Sequence, residues 1–369
     1  MKHFNKQILP GLAGLALCLA SVTSSSIAAP VEENWQQRAE KLMSKPLTVS
    51  WQNNGATSTM NLVGVRDGQL AFKVGKQAGE ASMPLDTLGD IWFDTPPHKG
   101  YSQAIGLIGK ETFGIKHLNL MRQRAYPTVR FLEIPAAHCG FPDTVSNLTA
   151  GLLQLGQLDE ATFLINQLDI PTLGPKFEAH AIALARALVE AGSPQKATAI
   201  IQQLPIDRIA LANTALVFDL AHLLRDQKKY SDARNIYQKL GKNASIGNNP
   251  AEYWSYYCGL KEGEYLDDHS FPAAVNNIEA GGPHYPLQQL VLGIYYSTRE
   301  QDQEAMRAIS QGIAFATPVE TWTPELMFCS AQAYATLEMP DISKSVYQET
   351  VRFFPTSPWA VAAQKELDK

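Results

Sequence analysis

Cysteine is scarce in this sequence, with four residues in 369, at positions 18, 139, 258 and 329. So few and so widely spaced cysteines exclude a disulfide-dense scaffold, and no C-x-x-C pair is present for zinc binding or redox exchange. If Cys18 leaves with an export signal, an odd number remains, so at least one thiol is unpaired unless it bonds another chain. We therefore interpret Cys139, Cys258 and Cys329 as small buried apolar side chains.

Charge and catalytic motifs are scarce too. Charged residues make up 18% of the chain and the formal net charge is −5, which disfavours nucleic acid or anionic lipid as a partner. The sequence lacks G-x-S-x-G and H-E-x-x-H, and its eight histidines show no ligand spacing. His138-Cys139 has no third ligand nearby, and Asp267-Asp268-His269 is typical of a solvated turn. We predict no enzyme, no catalytic residue, no metal and no cofactor.

Long apolar runs are limited to one, from Ile8 to Ala20. Lys2 and Lys6 precede this run, and Ser26-Ile27-Ala28 follows it, which is the order of a secretory signal peptide. The run is too short to form a stable membrane span. We predict a signal peptide at residues 1–28, export to the periplasm or the extracellular space, and no transmembrane span in the mature chain.

Cleavage after Ala28 would remove two lysines and change the formal charge from −5 to −7. Lipidation of Cys18 is an alternative, which we disfavour because Leu17 rather than a small residue precedes it. Residues 29–46 follow as a leader or a short amphipathic helix that Pro46 ends.

The pattern changes from helical to alternating between residues 47 and 95. About five short segments alternate apolar and polar side chains and are separated by turn signals such as Asp67-Gly68, which predicts strands joined by hairpins. So short a segment cannot form a broad sheet with two covered faces, so we predict a small closed barrel. Its pattern resembles the SH3-like or Sm-like barrels that precede repeats in some exported bacterial proteins.

Residues 96–369 are organised around one unit, best seen at residues 213–240. Apolar residues recur at helical spacing until the polar stretch that begins at Asp226. They resume at Tyr230 and continue to Leu240. This pattern predicts two antiparallel helices joined by a short polar turn. One such hairpin cannot bury its own apolar face, so copies must stack beside it.

The copies are marked by a small residue early in the second helix of each hairpin. It recurs at Ala161, Ala197, Ala233 and Ala305, with gaps of 197 − 161 = 36, 233 − 197 = 36 and 305 − 233 = 72. The double gap predicts one degenerate unit, which contains the aromatic segment AEYWSYYCGLKEG. About seven hairpins and a C-terminal capping helix result.

These units resemble tetratricopeptide repeats, which share the hairpin plan and the small residue of the second helix. They depart from that family in their period of 36 and in the loss of most Trp and Gly residues of the first helix. The resemblance implies a mainly α, superhelical solenoid after the small β-barrel. It also places the segment TVRFLEIPAAHCGFP, an insertion between the first two units, in a loop on a recognition face.

The resemblance further implies a non-enzymatic scaffold or adaptor of the cell envelope that binds a protein or peptide along the concave face of its first helices. The positions that it places on that face are Arg186, Glu190, His222, Arg225, Trp254, Cys258, Lys261, Phe328 and Gln332. The basic residues beside an aromatic helix would suit an acidic or C-terminal peptide. The aromatic residues are equally explained as core. The alternative function is an envelope glycan-binding module, or a noncatalytic partner of a glycan-processing enzyme, that uses the aromatic helix for stacking. The partner's identity and the oligomeric state are not predicted.

Overall fold

The computed structural model describes residues 34–53, 56–74, 79–96, 100–247 and 249–369. The signal peptide predicted at residues 1–28 lies outside this part of the chain. Within it, one small antiparallel sheet precedes a long series of helices. None of the described helices is both long enough and apolar enough to cross a bilayer.

One of the described α-helices precedes the sheet, and the others follow it, mostly as hairpins with short turns. The helices are α1 (Trp35–Ser44), α2 (Tyr101–Ile105), α3 (Ile115–Ala125), α4 (Phe141–Gln154), α5 (Leu158–Ile165), α6 (Ile170–Leu173), α7 (Pro175–Glu190), α8 (Pro194–Gln203), α9 (Thr214–Asp226), α10 (Tyr230–Gly241), α11 (Ala251–Lys261), α12 (Phe271–Val275), α13 (Tyr285–Thr298), α14 (Asp302–Phe315), α15 (Thr323–Thr336), α16 (Pro340–Phe353) and α17 (Pro358–Leu367).

The sheet has five strands in the spatial order β4-β3-β2-β1-β5. They are β1 (Leu47–Asn53), β2 (Ala56–Arg66), β3 (Gln69–Val74), β4 (Ala81–Pro84) and β5 (Trp92–Asp94). The predicted turn at Asp67-Gly68 joins β2 to β3, and both residues have positive φ (52° and 70°), as a tight hairpin requires. Alternate residues such as Val49 and Leu62 are fully buried on one face.

The prediction of a closed barrel is wrong. β4 and β5 are the two edges of the sheet, with no pairing between them in the described residues. The outer side of β5 instead meets the chain further on, where the Phe93 N–H donates to the His138 carbonyl at 2.7 Å. The buried face of the sheet packs against Phe131, Ile134 and Phe141, which belong to the helical part. Because these side chains cover the apolar face, the sheet need not close on itself to bury it.

The insertion TVRFLEIPAAHCGFP therefore does not form a recognition loop. Its residues Phe131, Ile134 and Cys139 are buried in the core that joins the sheet to the helices. A histidine within it, His138, also bonds through Nδ1 to the Ile91 carbonyl at 2.9 Å. The insertion is the structural connection between the two parts of the molecule.

The helices form an array of stacked hairpins. Successive first helices pack on one another, α4 on α7, α7 on α9, α11 on α13, α13 on α15 and α15 on α17. A single cluster of buried apolar side chains extends from Ala39 in α1 to Leu326 in α15. The array is therefore held by interfaces between neighbouring units, as the repeat pattern predicted.

The repeat register is confirmed by the small residues. Ala161, Ala197, Ala233 and Ala305 are each the fourth residue of a second helix and are at most 1% exposed. The same helix position in α16 holds Ser343, which is also buried. A small side chain there allows the second helix of each hairpin to approach the first.

The degenerate unit is the one that contains α11 and α12. Its second helix, α12, has only five residues and ends at Val275. The fully buried Gln288 of α13 compensates, because its Oε1 accepts the N–H groups of Asn277 (3.1 Å) and Ile278 (2.8 Å) and its Nε2 donates to Asn276 (3.0 Å). This side chain satisfies backbone groups that the shortened helix leaves without helical partners.

Candidate binding groove on the first helices

Side chains from α7, α9, α11, α15 and α17 line two adjoining cavities of about 500 and 400 Å³. Arg225, Asp226, Pro358 and Trp359 line both of them, so we treat the two as one surface, the concave groove. With the exception of α17, every helix named is the first helix of its hairpin, and α17 follows the last hairpin as the start of a further one. The groove therefore lies mainly on first helices, although it includes no residue of α13 and it takes in Tyr230 at the start of α10.

Helix α9 contributes more lining residues to the groove than any other helix. They are Asp219, His222, Leu223, Arg225 and Asp226. Residues three and four apart lie on one face of a helix, so positions 219, 222, 223 and 226 form a single stripe. The opposite stripe of the same helix is apolar and buried among its neighbours. The amphipathic pattern of α9 thus directs its polar residues to the groove.

Arg225 is held in place by its neighbours and is not a free cation. Its guanidinium carbon lies 4.1 Å from the centre of the Trp254 ring. Its Nε and Nη2 donate to Asp226 Oδ1 at 3.0 and 2.7 Å, and its side chain is 10% exposed. Trp254, at 1% exposure, is a support below the groove and does not line it. An ion pair this shielded and stacked fixes the geometry of the groove floor.

His222 is a neutral, structural residue. Its Nδ1 accepts a hydrogen bond from the Tyr237 hydroxyl at 2.6 Å and lies 3.3 Å from Nη1 of Arg225. Burial, and secondarily the positive charge of Arg225, lowers the pKa of His222 to about 3. The imidazole therefore stays uncharged at neutral pH and positions the groups around it.

A second polar cluster forms the other half of the groove. The Tyr257 hydroxyl donates to Glu325 Oε1 at 2.8 Å, and Lys261 Nζ lies 3.6 Å from the same oxygen. Burial raises the pKa of Glu325. Lys261 Nζ also lies 5.1 Å from the Tyr257 ring centre and 6.0 Å from that of Trp359. Aromatic faces and paired charges therefore alternate along this side.

The other predicted positions are distributed unevenly. Arg186 lines the groove, where it pairs with Glu190 at 3.0 Å, and both side chains are about half exposed. Phe328 is buried against Trp359, with ring centres 5.2 Å apart. Gln332 is exposed and is not among the groove's lining residues. The structure thus brings Arg186, His222, Arg225 and Lys261 to one surface and leaves Glu190, Trp254, Phe328 and Gln332 beside or beneath it.

Cys258 is fully buried, and burial raises the pKa of its thiol to about 12. It is a free thiol, as are Cys139 and Cys329. The interpretation of Cys139 and Cys258 as buried apolar side chains is confirmed.

Sequence reasoning missed the acidic and C-terminal parts of the groove. Asp219 lies one helical turn before His222 and is exposed. Trp359 belongs to the helix that was interpreted as a polar cap, yet its ring lines both cavities. The large aromatic residue at the start of this capping helix is the signal that could have identified it as part of the groove. An end cap has no repeat beyond it to pack against, so the helix does not need such a residue for packing on a further repeat.

The nearest approach to a catalytic pair is Ser146 and His180, whose Oγ and Nε2 lie 2.8 Å apart. Burial lowers the pKa of His180 to about 4, with a smaller contribution from Lys176. Ser146 is 1% exposed, so its hydroxyl is closed off from a substrate. We assign the pair to the packing of α4 against α7. The described residues contain no group of three His, Cys, Asp or Glu side chains arranged to hold a metal ion.

Comparisons with known proteins add little to this geometry. No protein-family model matches the chain, and no curated protein matches it. A solved structure from a functional characterization of Pseudomonas aeruginosa pilF matches with a TM-score of 0.34 and 15% sequence identity, over 61% of this chain and 97% of that chain. So low a similarity carries no argument, and the fold assignment rests on the helices themselves.

Proposed function

We propose that the protein is a non-enzymatic adaptor that binds an extended segment of a partner protein in the concave groove. One observation supports this proposal above the others. Helices α7, α9, α11, α15 and α17 present a single surface whose two cavities, of about 500 and 400 Å³, share four lining residues. A surface built from several repeats suits an elongated ligand better than a compact one.

The charges of the groove indicate the kind of segment. Arg225 is paired with Asp226 and Lys261 with Glu325, so neither offers an unbalanced positive charge. The sequence-based preference for an acidic peptide therefore loses its support. Exposed Asp219 and the apolar ring of Trp359 favour a segment that combines a basic residue with aromatic or aliphatic side chains.

The glycan alternative has lost the feature on which it depended. Tyr253, Trp254 and Tyr257 of the aromatic helix are 6%, 1% and 2% exposed, so they cannot serve as a stacking platform for a sugar. They fill the degenerate unit instead. Export to the cell envelope remains part of the proposal, on the basis of the signal pattern at residues 1–28.

A photo-crosslinking experiment tests the proposal. A photoreactive phenylalanine analogue is introduced at Asp219, in the groove, and in a second protein at exposed Arg307 of α14, outside it. Crosslinking in the native cell envelope should give a discrete protein adduct from position 219 and none of the same mass from position 307.

The segment identified is then synthesised and its affinity measured for two variants. Asp219→Lys places a cation where the basic residue of the segment would bind, so it should weaken binding about tenfold or more, which corresponds to about 1.4 kcal/mol, while thermal unfolding stays within about 0.5 kcal/mol of wild type. Arg307→Glu should leave the affinity unchanged. Adducts of the same mass from both positions, or an affinity unaffected by Asp219→Lys, would contradict the groove as the binding surface.

A further inference from the structure

A separate cavity of about 350 Å³ lies between α1 and α3, away from the concave groove. Its charged and aromatic lining consists of Trp35, Arg38, Lys41, Lys45, Arg122 and Tyr126. We call this cavity the basic cleft. Four of its lining residues are cationic and none is acidic, although the whole chain carries a net charge of −5.

Helix geometry explains why the cations converge. Positions 38, 41 and 45 are separated by three and four residues, so they lie on one stripe of α1. Positions 119, 122, 123 and 126 form the facing stripe at the end of α3. The cleft is the space between the two stripes.

The walls of the cleft are fixed by packing. Ala39 of α1 is fully buried, and Trp35 meets the Phe163 ring edge-on, with ring centres 5.6 Å apart. Arg130 donates a hydrogen bond to the Lys45 carbonyl at the end of the helix. The two helices that carry the facing charges therefore cannot separate without unpacking α1 from the array.

Only part of this positive charge is balanced. Arg122 Nε donates to Glu160 Oε1 at 2.8 Å, and the Tyr126 hydroxyl donates to the same oxygen at 2.7 Å. Arg38 and Lys45 are exposed and make no ion pair within the described residues. The cleft thus carries an excess of at least two positive charges, which repel one another when no anion is present.

We propose that the basic cleft binds a phosphate group that carries two negative charges. A dianion matches the excess charge, whereas a single carboxylate would leave part of it unbalanced. Arg38 can bind two phosphate oxygens at once, Lys45 adds a point charge, and Trp35 offers an apolar ring to whatever the phosphate is attached to. A soluble phosphate monoester and the monoester headgroup of phosphatidic acid present this same chemistry.

Calorimetric titration of the full-length protein with inorganic pyrophosphate, in a buffer without divalent cations, tests the site. We expect one site per chain with a dissociation constant of about 1 mM or tighter, weakened by added salt. The double variant R38A/K45A should bind at least tenfold more weakly. The control R307A/K344A removes two exposed cations from α14 and α16 and should bind as wild type does.

A second arm identifies the source of the phosphate. Co-sedimentation with phosphatidic acid vesicles that is absent with phosphatidylcholine vesicles, and is lost in R38A/K45A, assigns the site to a headgroup. Pyrophosphate binding without retention on vesicles assigns it to a soluble phosphate. Circular dichroism verifies folding, and K45A alone replaces the double variant if that variant unfolds. The proposal is overturned if wild type binds in neither arm, or if R307A/K344A loses as much binding as R38A/K45A.

Discussion

Acidification should destabilise this protein through His222, by an amount that follows from its surroundings. Its folded-state pKa is lowered from 6.5 to about 3 by burial first and by Arg225 second. A histidine with a depressed folded-state pKa binds protons more readily in the unfolded chain. The stability that it contributes is therefore fully present above pH 6.5 and is lost as the pH falls from about 6.5 towards about 3.

The magnitude can be worked out for a fall from pH 7.5 to pH 5. At pH 5 the unfolded His222 is about 97% protonated, a roughly 30-fold excess of the charged form, while the folded imidazole remains neutral. One pKa unit corresponds to about 1.4 kcal/mol, so the free energy of unfolding should fall by about 2 kcal/mol from this residue alone.

Urea unfolding at the two pH values measures the effect, with tryptophan fluorescence as the probe, because the Trp254 ring centre lies 5.1 Å from that of His222. The variant His222→Gln retains an acceptor for the Tyr237 hydroxyl but cannot be protonated. Its free energy of unfolding should fall by about 2 kcal/mol less than that of wild type between pH 7.5 and 5. The control is the same substitution at exposed His269, which should leave this pH difference within about 0.5 kcal/mol of wild type. If His222→Gln and wild type respond equally to acidification, the imidazole is accessible in the folded protein and the groove floor is not built as described.

Three further predictions concern packing and the groove. Burial raises the pKa of Glu325, so its charge opposes folding once the pH exceeds the pKa of this residue in the unfolded chain. The stability of Glu325→Gln relative to wild type, measured by urea unfolding, should therefore increase from pH 4 to pH 7.5. If the difference in free energy of unfolding between the two proteins is the same at both pH values, this prediction is contradicted. A Cβ added at Gly293 would lie 2.6 Å from Cγ1 of Ile309, so Gly293→Ala should cost about 1–3 kcal/mol of overpacking, less about 1 kcal/mol of helix propensity. Gly293→Ala should become stabilising in an Ile309→Ala background. The control Gly241→Ala, with nothing within 4 Å of the new Cβ, should be neutral or stabilising. Additive effects of the Gly293 and Ile309 substitutions on the free energy of unfolding would refute the close approach of these two residues. Trp359→Ala should reduce the crosslink from position 219 several-fold without changing expression, and an undiminished crosslink would remove α17 from the binding surface.

Much of the helical part could be predicted because its information is local. The buried alanines at positions 161, 197 and 233 recur at a fixed interval, and the apolar residues between them follow helical periodicity. These features act within one hairpin or between neighbours, so a sequence window of two repeats contains them. The degenerate unit was also located correctly by the double gap, but the early end of α12 depends on a side chain of the next helix, Gln288.

The sheet shows where local information ends. Its strands and the Asp67-Gly68 turn follow from alternation and turn residues. Length alone predicts closure into a barrel, because so short a segment cannot form a broad sheet with two covered faces. Phe131 and Phe141 bury the apolar face of the sheet instead, from an insertion that the sequence pattern places in a loop. Which surface covers a sheet is decided by partners distant in sequence.

The candidate site divides in the same way. Repeat register placed Arg186, His222, Arg225 and Lys261 on the inner face, and each of them lines the groove. Register says nothing about how a side chain is used once it is there. Stacking on Trp254 and pairing with Asp226 convert Arg225 from a ligand contact into part of the floor.

By itself the sequence determined the hairpin unit, its interval, the small residues that let helices approach, and the inward stripe of each first helix, because spacing along the chain fixes what one helix presents to the next. Tertiary structure alone decided the open sheet, the arrival of Trp359 opposite α9, and the facing of the α1 cations towards Arg122. These outcomes depend on rotations that accumulate over several packed helices, and on burial supplied by residues far away in sequence. The chain has a net charge of −5, yet it contains a cleft whose charged lining residues are all positive. Net charge is a sum over the whole chain, whereas a binding site depends on which charges the fold brings together.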